Sequence, residues 1–288
     1  MSDQSSAIGT FGALVPLAGI AWAGSQGGAL VGDIPIFALL VGIALAIQWL
    51  AFVPAFAART EKFYDLTGSL TYLTITGLAL GLGPSRDSGS ILLAVLVGVW
   101  AARLGSFLYL RIKADGKDGR FDELKQSFWR FLLAWTLQAL WISFTAGAAL
   151  AAITALDPVP LGTFAWVGLG VWVVGFGIEV VSDRQKRDFR RDPANKGRFI
   201  TTGLWAWSRH PNYFGEIVLW IGVAIIAFPA LAGWQYVTLL SPVFVTLLLT
   251  RGSGIPLLEE RADAKWGGEP EYEAYKARTP VLVMRPPR

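Results

Sequence analysis

The chain of 288 residues has no cysteine and a single histidine, His210. The first absence excludes disulfides, thiol catalysis and thiolate metal sites. The second argues against a histidine-ligated centre, so no metal is expected. Charge is also scarce, with 16% Asp, Glu, Lys and Arg against 53% apolar residues and a mean hydropathy of +0.48. That is too little charge for a soluble domain. No Walker loop, Rossmann glycine fingerprint or HExxH string occurs, so a nucleotide site would have to be built from helix ends and loops. No basic stretch precedes the first apolar run, and no cleavable signal peptide is expected. Internal repeats and low-complexity segments are missing as well.

What the chain does have is apolar runs and thirteen tryptophans, which suit a protein anchored at two membrane–water interfaces. Runs at 36–56, 64–83, 90–110, 128–154, 162–182, 213–232 and 235–250 are each near the roughly 17–25 residues of a membrane helix. Pro229 and Pro242 blur the ends of the last two. An eighth stretch, Ile8–Gly24, is short, glycine-rich and interrupted by Pro16; it reads as a half-span or an extra helix. Ten-residue alternating strands, the mark of a lipid-facing barrel, do not occur. The expected fold is all-α, a polytopic transmembrane bundle of seven core helices. Residues 1–35 form an N-terminal segment and 36–288 one membrane domain with a C-terminal tail.

The net charge of +4 is confined to a few loops, which is a topology signal rather than a nucleic-acid footprint. Alternating the seven runs puts Arg59, Lys62, the 111–130 cluster, the 184–209 cluster and the tail from Arg251 on one side, leaving Arg86 on the other. The crowded side is expected to be cytoplasmic, in a bacterial inner membrane, with a monomer, membrane lipids and no nucleic acid as the partner expectation.

Polar chemistry gathers in four places. The stretch RFITTGLWAWSRHPNYFGEIVLWI, 198–221, combines Arg198, Trp205, Trp207, His210, Asn212, Tyr213 and Glu216. Pro211 suits a first helical position, and Asn212 and Glu216, four apart, share a helix face. The tryptophans read as interfacial anchors or as base-stacking surfaces, and His210 as a structural or phosphate-side residue. Upstream, Glu179, Asp183, Arg187 and Arg190 fall on one helical stripe. That stripe is either a set of i,i+4 ion pairs capping a span or a site whose acids bind ribose or amide groups while its arginines fork onto phosphates. In the tail, Arg251 precedes Gly252-Ser253-Gly254, then Glu259, Glu260 and Arg261, then an amphipathic piece with Tyr272 and Tyr275. Within the membrane, Tyr64-Asp65 opens one run and Arg103, near Trp100, lies inside the next. Asp65 and Arg103 are expected to face the interior and to pair, as a structural lock or beside a proton-donating Asp65–Tyr64 couple.

At these residues the sequence resembles the membrane steroid 5α-reductase family, in the bacterial homologues of its DUF1295 group. The resemblance runs from about Trp49 to the C-terminus. It rests on Ser182-Asp183 with Arg187 and Arg190, on Asn212-Tyr213-Phe214-Gly215-Glu216, and on Ser253–Glu259. The resemblance implies a seven-helix enzyme with a cytoplasmic NADPH site and an enone lipid, such as a steroid, between its first four helices. Asp183, Arg187, Arg190, Asn212, Glu216 and Arg251 match its cofactor-contacting positions. With Glu179, Arg198, His210, Tyr213 and Glu259 they make up the candidate cofactor set. Tyr64-Asp65 falls where eukaryotic members have Gln-Glu, and is the candidate catalytic pair. Trp100 stands where those members carry a tyrosine, and is grouped with Arg103 as substrate-binding. An indole N–H donates a hydrogen bond but is no useful acid. The implied reaction is NADPH-dependent reduction of a carbon–carbon double bond conjugated to a ketone. Two rivals stand beside it: an S-adenosylmethionine-dependent methyltransferase of the isoprenylcysteine carboxyl type, and a non-catalytic lipid-binding membrane protein.

Overall fold

Apolar runs without water must satisfy every backbone group internally, and here they do so as helices. The computed structural model describes residues 2–252 and 254–287, with the side chains of 114 and 115 left aside. Its elements are α1 (Asp3–Ser25), a two-stranded hairpin (Leu30–Val31 with Ile34–Pro35), α2 (Ile36–Ala57), α3 (Tyr64–Leu82), α4 (Ser88–Asp115), α5 (Phe128–Thr145), α6 (Gly147–Ile153), α7 (Thr163–Arg191), α8 (Pro211–Ala227), α9 (Ser241–Leu247), α10 (Ile255–Trp266) and α11 (Pro270–Arg278). This is the expected polytopic helical bundle, and the chain is an integral membrane protein. Among the described residues, six stretches are long and apolar enough to cross a membrane: Asp3–Ser25, Ile36–Ala57, Ser88–Lys113, Thr163–Arg191, Pro211–Ala230 and Gly233–Trp266. The α5–α6 pair, bent by 55°, makes a seventh if it counts as one span.

Three of the expected runs take a more specific form. Ile8–Gly24 is no half-span: it lies within the 23-residue α1, which runs through Pro16 and is capped by the Ser2 hydroxyl accepting the Ser5 N–H at 3.1 Å. The 64–83 run becomes α3 but is not among the six, because Thr67, Ser69, Thr71, Thr74 and Thr76 dilute its apolar character. The 235–250 run is a composite, a 3-10 helix over Gly233–Leu240, then α9, then a π turn over Leu248–Gly252.

The chain divides into two compact units, Met1–Trp166 with Val223–Ser241, and Val167–Gly222 with Pro242–Arg288. In the first, the α2–α5 core is aromatic: Phe52, Phe121, Phe131 and Trp135 are buried together with Tyr64 against them. At one end Asp87 caps α4 by accepting the Gly89 and Ser90 N–H groups at 3.0 and 2.9 Å. The opposite, basic end carries an ionic lattice. Buried Glu61 accepts Lys125 Nζ at 2.7 Å and the Asp118 N–H at 3.0 Å, while Lys125 also reaches Asp122 at 3.3 Å. In the second unit, the far half of α7, the start of α8 and the tail pack through glycines and aromatics.

Candidate functional site

In the second unit the site begins with glycine spacing. A Cβ on Gly215 would lie 2.6 Å from both the Glu179 nitrogen and the Gly175 oxygen. One on Gly222 would lie 2.7 Å from the Gly168 oxygen, and one on Gly175 would run into the backbone of Leu219. Small residues at this contact let the α7 and α8 backbones touch, and backbone contact brings short polar side chains within reach. Asn212 Nδ2 donates to Asp183 Oδ1 at 3.2 Å. Glu179, Asp183 and Glu216 are all buried. Four of the expected residues thus gather where α8 starts, and Pro211 is its first residue as anticipated.

A second knot sits just upstream of α8. His210 Nε2 and Glu259 Oε1 are 2.7 Å apart, and Arg209 Nη1 lies 2.8 Å from Glu259 Oε2. Tyr213 stacks on the imidazole with ring centroids 5.7 Å apart. Burial pushes the His210 pKa down, against the pull of Glu259. The tail fastens this knot as a strap: the Arg209 N–H donates to the Pro280 carbonyl at 2.9 Å, the Arg285 N–H to Trp207 at 3.0 Å, and Ser208 Oγ to Leu282 at 2.8 Å. Through Glu259 on α10, the His210 imidazole ties the loop before α8 to the tail.

The loop before it is fastened to α7 in the same way. Trp205 is buried rather than interfacial; its Nε1 donates to the Ser182 carbonyl at 3.0 Å, and the Tyr275 hydroxyl donates to the Trp205 carbonyl at 2.7 Å. Burial raises the Tyr275 pKa, in keeping with a neutral donor. Gly203, at φ +62°, lets the chain pass the Gln185 side chain, whose Oε1 accepts the Leu204 N–H at 2.9 Å.

The candidate arginines point the other way, toward solvent. Arg187, Arg190, Arg198 and Arg251 are exposed. Arg187 lies 3.5 Å from its neighbour Asp188; among the described residues Arg190, Arg198 and Arg251 have no carboxylate within 4.0 Å. Ser253, which opens the Ser253–Glu259 motif, lies outside the described residues.

In the first unit Asp65 Oδ2 lies 3.6 Å from Arg111 Nη2, and the Arg103 guanidinium sits 5.3 Å from the centre of the Phe107 ring. Because α3 and α4 form a hairpin, a residue in the first turn of α3 faces the last turns of α4, and Arg111 stands eight residues, roughly 12 Å, nearer that level than Arg103. The Tyr64 hydroxyl donates to the Ala134 carbonyl at 2.9 Å, so it ties α3 to α5. Trp100 is buried with the Tyr72 ring edge-on at 5.1 Å. Nearby in sequence, fully buried Gln48 donates to Thr71 Oγ1 at 2.9 Å. Gln48, Thr71 and Tyr72 were not singled out from the sequence. The available signal was a lone carboxamide in the run IALAIQWLAF, since polar groups inside a membrane helix mark sites by default.

A family model described as Protein of unknown function (DUF1295) matches residues 51–279. The chain belongs to this family. It is 25% identical over 195 residues to an uncharacterized protein of Schizosaccharomyces pombe, covering 57% of each chain. It is 33% identical over 117 residues to 3-oxo-5-alpha-steroid 4-dehydrogenase 1 of Rattus norvegicus, covering 40% of this chain and 39% of that one. With the Bos taurus protein of the same name, identity is 30% over 69 residues, 24% of this chain and 26% of the other. The matches thus span little more than half of the first relative and well under half of the two dehydrogenases. No solved structure matches the chain.

Proposed function

We propose that this protein is a membrane reductase that uses NADPH to saturate the carbon–carbon double bond of an enone lipid of the steroid type. The observation that carries the reading is the composition of the second unit's site. Buried hydrogen-bonding groups, Glu179, Asp183, Asn212 and Glu216, sit at the α7–α8 contact, with exposed arginines one to two turns farther along α7. Carboxylates and a carboxamide suit ribose hydroxyls and a nicotinamide carboxamide. Solvent-facing arginines suit phosphates, onto which their planar forks donate in pairs. Arg187, Arg190, Arg198 and Arg251 would take the phosphates of NADPH, and Asp183, Asn212, Glu216 and Glu179 its sugar and amide groups. Tyr213, His210 and Glu259 would keep the α8 start in place beside them.

NADPH, when bound, supplies the hydride. The chain's own task is to hold the enone and manage charge at its oxygen. As the β-carbon gains hydride, negative charge grows on the carbonyl oxygen, and a positioned donor lowers that barrier. Asp65 is the acid we assign, held by Arg111, and Tyr64 fixes the first turn of α3 that carries it. Trp100 cannot supply a proton, but Tyr72, packed against it, has a phenol; it is the second donor in this reading. Trp100 and Arg103 would line the substrate's path. The positive-inside pattern supports a cytoplasmic cofactor side.

The rat and bovine relatives, named as steroid dehydrogenases, support the reaction class. The test is titration of the detergent-purified chain with NADPH and with S-adenosylmethionine, followed by enone turnover. NADPH binding with enone reduction is the expected result. Binding of S-adenosylmethionine alone would return the site to the methyltransferase reading, and binding of neither to a lipid-binding protein.

A further inference from the structure

At the basic end of the first unit, the end of α4 and the turn before α3 enclose a cleft of about 190 Å³ lined by Lys62, Phe63, Tyr109, Ile112, Lys113 and Gly116. Its charge is set by what surrounds it. Arg111, Lys117, Arg120 and Lys125 each lie against an acid: Asp65 and Asp118 for Arg111, Asp122 for Lys117, Asp118 for Arg120, and Glu61 with Asp122 for Lys125. Lys62 and Lys113, both exposed, are different: among the described residues no carboxylate lies within 4.0 Å of either. Among the described side chains, Asp65, Asp118, Asp122 and Glu61 are taken up by other cations, and the Lys62 and Lys113 ammonium groups line one cleft.

The walls add a second requirement. Phe63 is 56% exposed, Tyr109 is exposed at the rim and Leu110, next to it, is 62% exposed. Lys113 is the last residue of a stretch long and apolar enough to span a membrane, so this rim falls at the boundary between apolar and polar surroundings. Aromatic rings are favoured at that depth, and lysine stems lie along apolar surface with the charge reaching to the headgroups. Gly116, at φ +82°, closes the cleft without a side chain.

We propose that this cleft binds the headgroup of an anionic phospholipid, its phosphate between Lys62 and Lys113 and its acyl chains along Phe63, Tyr109 and Leu110. Basic pockets at helix ends take such headgroups. A free phosphate ion satisfies the lysines but leaves the exposed apolar rim uncovered; a lipid covers both. The site is independent of the reductase reading, since it uses none of the residues assigned to that reaction.

The test is native mass spectrometry of the full chain in micelles supplied with equal phosphatidylglycerol and phosphatidylcholine, with thermal melts run alongside. Preferential retention of phosphatidylglycerol is expected. The paired substitution Lys62→Gln with Lys113→Gln should reduce that affinity ~25-fold, from about fivefold for each lysine near a lipid surface. Lys117→Gln removes the same unit charge outside the cleft and should leave the preference in place. Equal retention of the two lipids, a preference surviving the double substitution, or an equal loss with Lys117→Gln would each overturn the site. Displacement of the lipid by an equal concentration of inorganic phosphate would overturn its assignment to lipid.

Discussion

Asn212 donates its side-chain amide to Asp183 across the α7–α8 contact, at 3.2 Å, with Asp183 buried. Removing the donor leaves a buried acceptor short of a hydrogen bond, which costs about 1–3 kcal/mol. Asn212→Ala is therefore expected to lower the unfolding free energy by about that amount and to weaken NADPH binding at least tenfold. Thermal melts and a fluorescence titration measure the two effects separately. A variant that melts lower yet binds NADPH as the parent does would make Asn212 a structural residue only.

The arginines make a prediction of a different kind, because they are exposed and fold nothing. Arg187→Gln combined with Arg190→Gln should leave the melting temperature within a degree or two, as expected for surface changes. NADPH affinity should fall steeply and lose part of its dependence on salt, since phosphate–arginine contacts are screened by ions. Titration at two ionic strengths checks this; an unchanged affinity would remove both arginines from the cofactor site.

Close backbone contact between α7 and α8 predicts unequal tolerance among their glycines. Gly215→Ala places a methyl 2.6 Å from the Glu179 nitrogen, and forcing such a contact costs typically about 1–3 kcal/mol. A Cβ on Gly177 of α7 meets nothing within 4 Å, and Gly177→Ala should be neutral or slightly stabilising. Denaturation of both variants in the same detergent tests the pairing of these helices. Equal losses would mean that the glycine contact is not what holds them.

Much of this site is legible in the sequence because it repeats with the helix. Glu179, Asp183, Arg187 and Arg190 announce a stripe by spacing alone, and Pro211 marks the start of α8. The parts that were not legible depend on contacts between distant segments. Nothing local to Ser208 or Arg209 says that the chain near Pro280 will strap over them, or that Glu259 will sit between Arg209 and His210. Arg111 is hidden for a related reason: charge counting within the apolar runs finds Arg103 for Asp65, whereas only the hairpin geometry of α3 and α4 shows Arg111 at 3.6 Å from it. The composite of 3-10, α and π turns between Gly233 and Gly252 is a backbone adjustment with no side-chain signature beyond Pro242. Trp205 reads as an anchor from composition, but its indole N–H has a carbonyl to meet on α7.

Two titrating groups outside the spans give pH predictions of the same sign and different position. Burial alone would raise the Glu61 pKa, but the hydrogen bonds from Lys125 and the Asp118 N–H outweigh it and hold it below the ordinary glutamate value of 4.5. A depressed carboxylate stabilises the fold above its unfolded value and loses that contribution as pH falls through the folded one. Burial depresses His210, so the folded chain binds fewer protons there than the unfolded one, and stability falls as pH drops below the ordinary imidazole range. Melting temperature should therefore decline in two steps on acidification, the first absent in His210→Gln and the second reduced but not abolished in Glu61→Gln, because Asp87 and Asp118 are depressed as well. Glu61→Ala should cost more than Glu61→Gln, by about 1–3 kcal/mol, because the Gln carbonyl can still accept from Lys125 or the Asp118 N–H, whereas Ala leaves both donors without that acceptor.

The last prediction separates chemistry from binding. If Asp65 and Tyr72 stabilise the carbonyl oxygen as charge develops there, Asp65→Asn and Tyr72→Phe should slow enone reduction by about 10²–10⁴-fold, the range for loss of a positioned proton donor. Their NADPH affinity should stay within twofold of the parent, since neither residue belongs to the cofactor set. Trp100→Phe serves as the reference, because it keeps a ring against Tyr72 and removes no acid; it should affect KM more than kcat. Tyr64→Phe should cost stability with little change in the rate constant, because its hydroxyl is committed to the Ala134 carbonyl. Single-turnover rates with a preformed NADPH complex discriminate these cases. A Tyr72→Phe variant as fast as the parent would place the second donor elsewhere, and an Asp65→Asn variant as fast as the parent would leave Asp65 with only its ion pair to Arg111.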